Sequence, residues 1–218
     1  MKQIKAVIKK EWLNFLGSEH GVFVVYAVLI FAWSFIPLTK VSGTGQVWWL
    51  FFSVIISGNF ANTVFVSERL NGSMEILLTS GLTRNAVLYG KILFITIMSI
   101  FIGLTCCCIA AIWIDLYGQP RMLFFTDMAS GAALYCAGTL MNVACSAWLS
   151  VRLQSPRIIP VISILLMAVF VALYYFLTYI VSAQGWLLYV VLGSAAMIFF
   201  FFAKMEFNGE RVVHPVDM

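Results

Sequence analysis

Six apolar runs, each about 20 residues long and almost free of charge, limit what this chain can become. They lie at roughly Gly21–Leu38, Val47–Val66, Leu88–Ile114, Leu123–Leu149, Ile158–Val181 and Trp186–Ala203. Backbone amides in hydrocarbon have no water to bond, so a stretch of this length must satisfy itself as a helix. The connections between runs are short, and no soluble domain fits within them. Composition agrees: the chain is 62% hydrophobic and 10% charged, where a soluble domain is about a quarter charged. The expected fold class is an all-α membrane protein with six transmembrane helices. It forms a single domain, with residues 1–20 as an interfacial element, 21–203 as the six-span bundle and 204–218 as a tail.

The opening "MKQIKAVIKKEWLNFL" has a different pattern. Ile4, Val7, Ile8, Trp12, Phe15 and Leu16 recur at helical three-and-four spacing, with Lys2, Lys5, Lys9 and Lys10 mostly off that face. The expectation is an amphipathic helix in the membrane interface, with Trp12 at headgroup depth. A basic start before an apolar run also fits a signal peptide. However, no small-x-small cleavage site follows Ile36-Pro37, and five more runs come after it. The segment is read as retained.

Lysine and arginine set the orientation. With the N-terminus in the cytoplasm, that side holds Lys2, Lys5, Lys9, Lys10, Arg69, Arg84, Lys91, Arg152, Arg157, Lys204 and Arg211, leaving only Lys40 and Arg121 opposite. Both termini are then cytoplasmic, as six spans require, in a cell (inner or cytoplasmic) membrane. The net charge of +4 reflects this asymmetry and needs no nucleic-acid partner.

The same orientation places "SERLNGSMEILLTSGLTRNAVLYGK", Ser67 to Lys91, in the cytoplasm between the second and third runs. Glu68 and Arg69 put an acid and a base at the interface. Asn71-Gly72-Ser73 is turn chemistry, because glycine tolerates positive φ while Asn and Ser cap helices. "SMEILLTS" reads as a short amphipathic helix, with Met74, Leu77 and Leu78 apolar and Glu75 where a helix dipole favours an acid. Gly81 is a natural helix stop, and Thr83 can cap the third span. Two readings fit: a helix resting on the bilayer, or a knob whose apolar side chains seat in a groove on a cytoplasmic partner.

"ERLNGSMEILLTSGLTRNAVLYGK" resembles the segment after the second span in permeases of the ABC type-two exporter family. The shared pattern is an acidic-basic pair (Glu68, Arg69), a glycine and a small residue (Gly72, Ser73), and a Glu-x-Leu-Leu core (Glu75, Leu77, Leu78). A turn (Ser80-Gly81-Leu82) and Gly90-Lys91 follow. Many relatives carry a proline where this chain has Ser80-Gly81. "IKKEWLNFL" is similar to that family's N-terminal elbow helix. The resemblance implies a permease dimer, of identical or homologous copies, bound to two ATPase subunits. It implies a coupling helix within residues 67–84, built on Glu68, Arg69, Gly72, Ser73, Met74, Glu75, Leu77 and Leu78. No G-x-x-x-x-G-K-[ST] phosphate loop occurs in the chain. The chain is therefore expected to be no enzyme and to bind no cofactor or metal, with ATP and Mg held by the partner.

Further features have smaller scope. Asn59 and Asn62 share a helical face in the second run and, with Asn142 in the fourth, are candidates for a substrate path or for bridges between helices. Ala129, Ala133 and Ala137, with Gly131 and Gly138, suggest close helix packing. Cys106, Cys107, Cys108, Cys136 and Cys145 lie in apolar runs without metal-ligand spacing and are read as packing. Trp48-Trp49, Phe51-Phe52, Tyr174-Tyr175 and Phe199–Phe202 are expected to face lipid. Sparse charge favours a hydrophobic or amphipathic cargo. A haem-export-type permease, a membrane scaffold for a cytoplasmic ATPase and an ion-coupled transporter are the competing classes.

Overall fold

A computed structural model describes residues 2–17, 20–35, 45–68, 77, 80–117, 121–152, 158–176 and 186–207. Seven α-helices follow in order: α1 (Lys2–Leu16), α2 (His20–Ser34), α3 (Gly45–Ala61), α4 (Arg84–Tyr117), α5 (Arg121–Arg152), α6 (Ile158–Tyr175) and α7 (Trp186–Glu206). No strand occurs among the described residues. The α3 helix widens into one π-helical segment, Asn62–Ser67, before it ends. The expected run Leu88–Ile114 is a helix from Arg84 to Tyr117, because polar end residues extend a helix beyond its apolar part.

The protein is membrane-embedded. Among the described residues four helices are long and apolar enough to cross a bilayer: the spans Trp48–Phe65, Arg84–Tyr117, Ala129–Arg152 and Leu187–Glu206. A fifth is added if α1 and α2, which meet at 92°, count as one broken span. The 15-residue α2 is too short to cross alone, and α6 carries a shorter apolar stretch, Ile164–Leu173. Length and apolarity thus qualify four or five spans where sequence periodicity leads one to expect six.

The α5 helix is the post around which the others assemble. It packs along α3 and α7, with α4 and α6 also against it. Contacts fix the register: Trp49 lies against Gly131, Ser53 and Leu50 against Gly138, and Asn142 against Ser57 and Val54. Residue numbers rise together, so α3 and α5 run parallel. Lipid tails solvate leucine as well as a neighbouring helix does, so close approach through small residues and dispersion must hold such helices together. Glycine supplies that approach here. A Cβ on Gly131 would sit 2.3 Å from the Trp49 ring, and one on Gly138 would sit 2.5 Å from Ser53 Oγ. The expected alanine stripe divides: Ala129 and Ala133 are exposed and Ala137 is half-buried, because helical pitch turns the two glycines, not the alanines, toward α3.

The aromatic pairs divide in the same way. Trp48 faces outward, whereas Trp49 and Phe52 are buried and meet the ring of Tyr135. At the same end, Trp33 Nε1 donates to the Trp48 carbonyl at 3.1 Å and Trp113 Nε1 to Ser34 Oγ at 3.2 Å. Phe201 and Phe202 are exposed, as expected of lipid-facing rings.

The apolar face of α1 is covered by protein rather than by lipid alone. Val7 is buried, Ile4, Ile8 and Phe15 are half-buried, and α1 packs on α4. A Cβ on Gly90 would lie 2.7 Å from Val7, so the missing side chain is what admits α1. Trp12, Leu13 and Leu16 are exposed instead, together with Lys2, Lys5 and Lys9 toward the helix start. Of the apolar stripe read from the sequence, Ile4, Val7, Ile8 and Phe15 thus meet protein, while Trp12 and Leu16 do not.

Candidate functional site

The charged end of the bundle is built where α1, the end of α3 and the start of α4 converge. Two acids and two bases meet there. Glu11 and Lys91 are 3% and 0% exposed, and Glu68 is 6% exposed. Lys91 lies about two turns into α4, inside a helix otherwise suited to lipid. Its Nζ donates to Glu11 Oε1 at 3.2 Å, to the Val64 carbonyl at 2.6 Å and to Glu68 Oε2. It also sits 5.6 Å from the centre of the Phe65 ring. Lys10, from α1, donates to Glu11 Oε1 at 3.2 Å and to Glu68 Oε1. The acceptor carbonyl of Val64 belongs to the π-helical segment, a local widening that often marks functional sites.

Among the described residues the two acids and two bases balance, and each acid has both ammonium groups beside it. An isolated buried charge costs several kcal/mol, about, in effective desolvation, so mutual pairing is the condition for their burial. Burial draws the half-buried Lys10 ammonium below its ordinary pKa, while the adjacent Glu11 pulls it the other way. An acid on the apolar face of α1, four residues after Val7, was the sequence signal for this group. Glu11 was nevertheless absent from the expected site, as was a partner role for Lys91.

Around the group, the ends of the 69–83 connection are fixed. Gln3 Oε1, near the start of α1, accepts from Thr83 Oγ1 at 2.9 Å and from the Thr83 amide at 3.4 Å. The Thr83 carbonyl accepts from the Val87 amide at 3.1 Å and so opens α4. Thr83 therefore begins the helix through its backbone, while its hydroxyl is committed to α1. Gly81 has φ +78°, the left-handed geometry that makes glycine a helix stop, and Ser80 Oγ donates to the Leu77 carbonyl at 2.7 Å.

Of the expected coupling residues, Glu68 lies in the buried charge group and Leu77 is half-buried. Arg69, Gly72, Ser73, Met74, Glu75 and Leu78 lie outside the described residues. The three asparagines differ in burial. Asn59 is exposed, Asn62 is half-buried, and Asn142 is fully buried. Asn142 Nδ2 donates to Ser57 Oγ at 2.7 Å and to the Val54 carbonyl at 3.4 Å, which is the bridging arrangement. Interhelical hydrogen bonds in membranes average about 0.6 kcal/mol. Asn142→Leu is accordingly expected to change stability by less than about 1 kcal/mol, measured by denaturation of the purified chain in bicelles.

Among the described residues no three His, Cys, Asp or Glu side chains gather in a way that could hold a metal ion. The cysteines are free, with Cys106 and Cys145 buried in the helix packing. Comparison with protein-family models, with curated proteins and with solved structures finds no match to this chain.

Proposed function

We propose that this chain is the transmembrane permease subunit of an ATP-binding cassette exporter. In this reading the six apolar runs cross the cytoplasmic membrane, the first over Gly21–Leu38 rather than over the 15 described residues of α2 alone, both termini are cytoplasmic, and two permease copies, identical or homologous, associate with two ATPase subunits. The ATPases hold ATP and Mg, and their closure moves a hydrophobic or amphipathic substrate by alternating access. The supporting observation is the anchoring of the Ser67–Lys91 segment. The residues at its base, Glu68 and Lys91, join one buried ionic group, so a push on the segment acts directly on two long helices. The resemblance of "ERLNGSMEILLTSGLTRNAVLYGK" to the coupling segment of ABC type-two permeases supplies the identity of the pusher. A haem-export-type permease is a variant of the same reading with a different cargo.

An ion-coupled transporter would need a charged site near the midplane, in a broken helix. The buried charges among the described residues gather at one end of the bundle instead. A scaffold that holds a cytoplasmic ATPase without transport would use the same segment, and nucleotide turnover coupled to flux separates it from the permease.

The test has two steps. A photo-crosslinker at Met74 in native membranes is expected to capture an ATPase with a phosphate-binding loop. Leu77→Asp is then expected to reduce permease-stimulated ATP hydrolysis to the basal rate, while membrane insertion is unchanged. Full stimulation by the Leu77→Asp chain would refute docking through this helix.

A further inference from the structure

We infer that α1 is a strap that sets the spacing of the two ends of the 69–83 connection. The two ends are far apart in sequence from α1 yet both are bonded to it. Gln3 holds Thr83, at the start of α4, and Lys10 holds Glu68, at the end of the π-helical segment. These grips lie about two turns apart along α1, which a helix keeps about 10 Å apart at 1.5 Å per residue. Between them Val7 closes against Gly90, and just beyond Lys10 Glu11 pairs with Lys91, so α1 cannot slide along α4 without breaking a buried ion pair.

The arrangement makes Gln3, Lys10 and Glu11 positioning residues. None of them lies in the connection, but each acts on where its ends are held. A rigid helix across the base of a connection converts its two independent ends into one body. Movement of either end must then carry α1 along. The inference stands on the observed contacts and rests on the permease reading only for what the positioned segment docks against.

Hydrogen–deuterium exchange on the full chain in lipid nanodiscs tests the strap. Three regions are followed: α1, residues 80–87 and the buried part of α5 (residues 134–150), whose protection reports that the bundle is folded. Gln3→Ala removes the acceptor of the Thr83 amide, and exchange in residues 80–87 is expected to rise about five- to tenfold, the effect of losing one hydrogen bond of about 1 kcal/mol. Glu11→Gln keeps an acceptor but drops the charge, and is expected to speed exchange in α1 and in residues 80–87 together, with α5 unchanged. Faster exchange in α1 while residues 80–87 keep their original rate would make α1 a passenger and overturn the inference. Unchanged rates throughout would overturn it as well. If Glu11→Gln loses α5 protection, Gln3→Ala decides alone, since it alters only an exposed pair. Because no ATPase is present, the result is independent of partner capture. Failure to capture an ATPase at Met74 would count against the permease reading and leave the strap standing.

Discussion

Lys91→Met is expected to lower the stability of the folded chain by about 3–5 kcal/mol, the range found when one partner is removed from a buried ion pair. The side chain keeps most of its volume, so the loss isolates the charge. Glu11, which is 3% exposed, would then keep only the half-exposed Lys10 as its cationic partner among the described residues and share it with Glu68. The Val64 carbonyl would also lose its 2.6 Å donor. Removing a second charge should reverse most of the damage. In Lys91→Met/Glu68→Gln, Lys10 and Glu11 remain of the four, already paired at 3.2 Å. That variant is expected to lie within about 1–2 kcal/mol of the original chain, since neutral replacements of buried pairs are often tolerated. Denaturation in bicelles measures both. A single variant as stable as the original, or a double variant worse than the single, would contradict the paired-burial account.

Gly103→Ala is expected to destabilise the bundle by about 1–3 kcal/mol, the usual cost of overpacking. Alanine ordinarily improves a helix by about 1 kcal/mol relative to glycine, so the sign depends on whether the neighbour can yield. The added Cβ would lie 2.3 Å from Tyr135 Cε1 and 2.7 Å from Cζ. Tyr135 is fixed at its far end, where its hydroxyl donates to the Ser99 carbonyl at 2.6 Å. The ring is also held between Trp49 and Phe52. It has nowhere to move, and α4 must separate from α5. Tyr135→Leu in the same chain removes the obstruction, and Gly103→Ala should then be neutral or favourable. Equal effects of Gly103→Ala with and without the ring would place the strain elsewhere.

Much of the charged end was visible in the sequence as single residues but not as a group. Lys91 was legible as a basic residue at the cytoplasmic start of an apolar helix. Glu11 was legible as an acid on the stripe formed by Ile4, Val7, Ile8 and Phe15. What could not be read was that they are partners, because 80 positions separate them and no periodicity spans two helices. The same limit explains the reassignment of Trp49 and Phe52 from lipid to core. Helical periodicity says which residues share a face, while only neighbours decide whether that face meets lipid or protein.

The helical, membrane-embedded character of this protein follows from its apolar runs, since backbone groups in hydrocarbon must bond within their own segment. The sequence also located the turn at Gly81, where a positive φ requires glycine. Tertiary packing settled that Gly103 is a contact point, that the glycines rather than the alanines of the α5 stripe meet α3, that α1 turns its apolar stripe toward α4, and that Lys10, Glu11, Glu68 and Lys91 meet in one buried ionic group. Those outcomes depend on distances between helices, and pairing across such distances is the condition under which a charge can be buried at all.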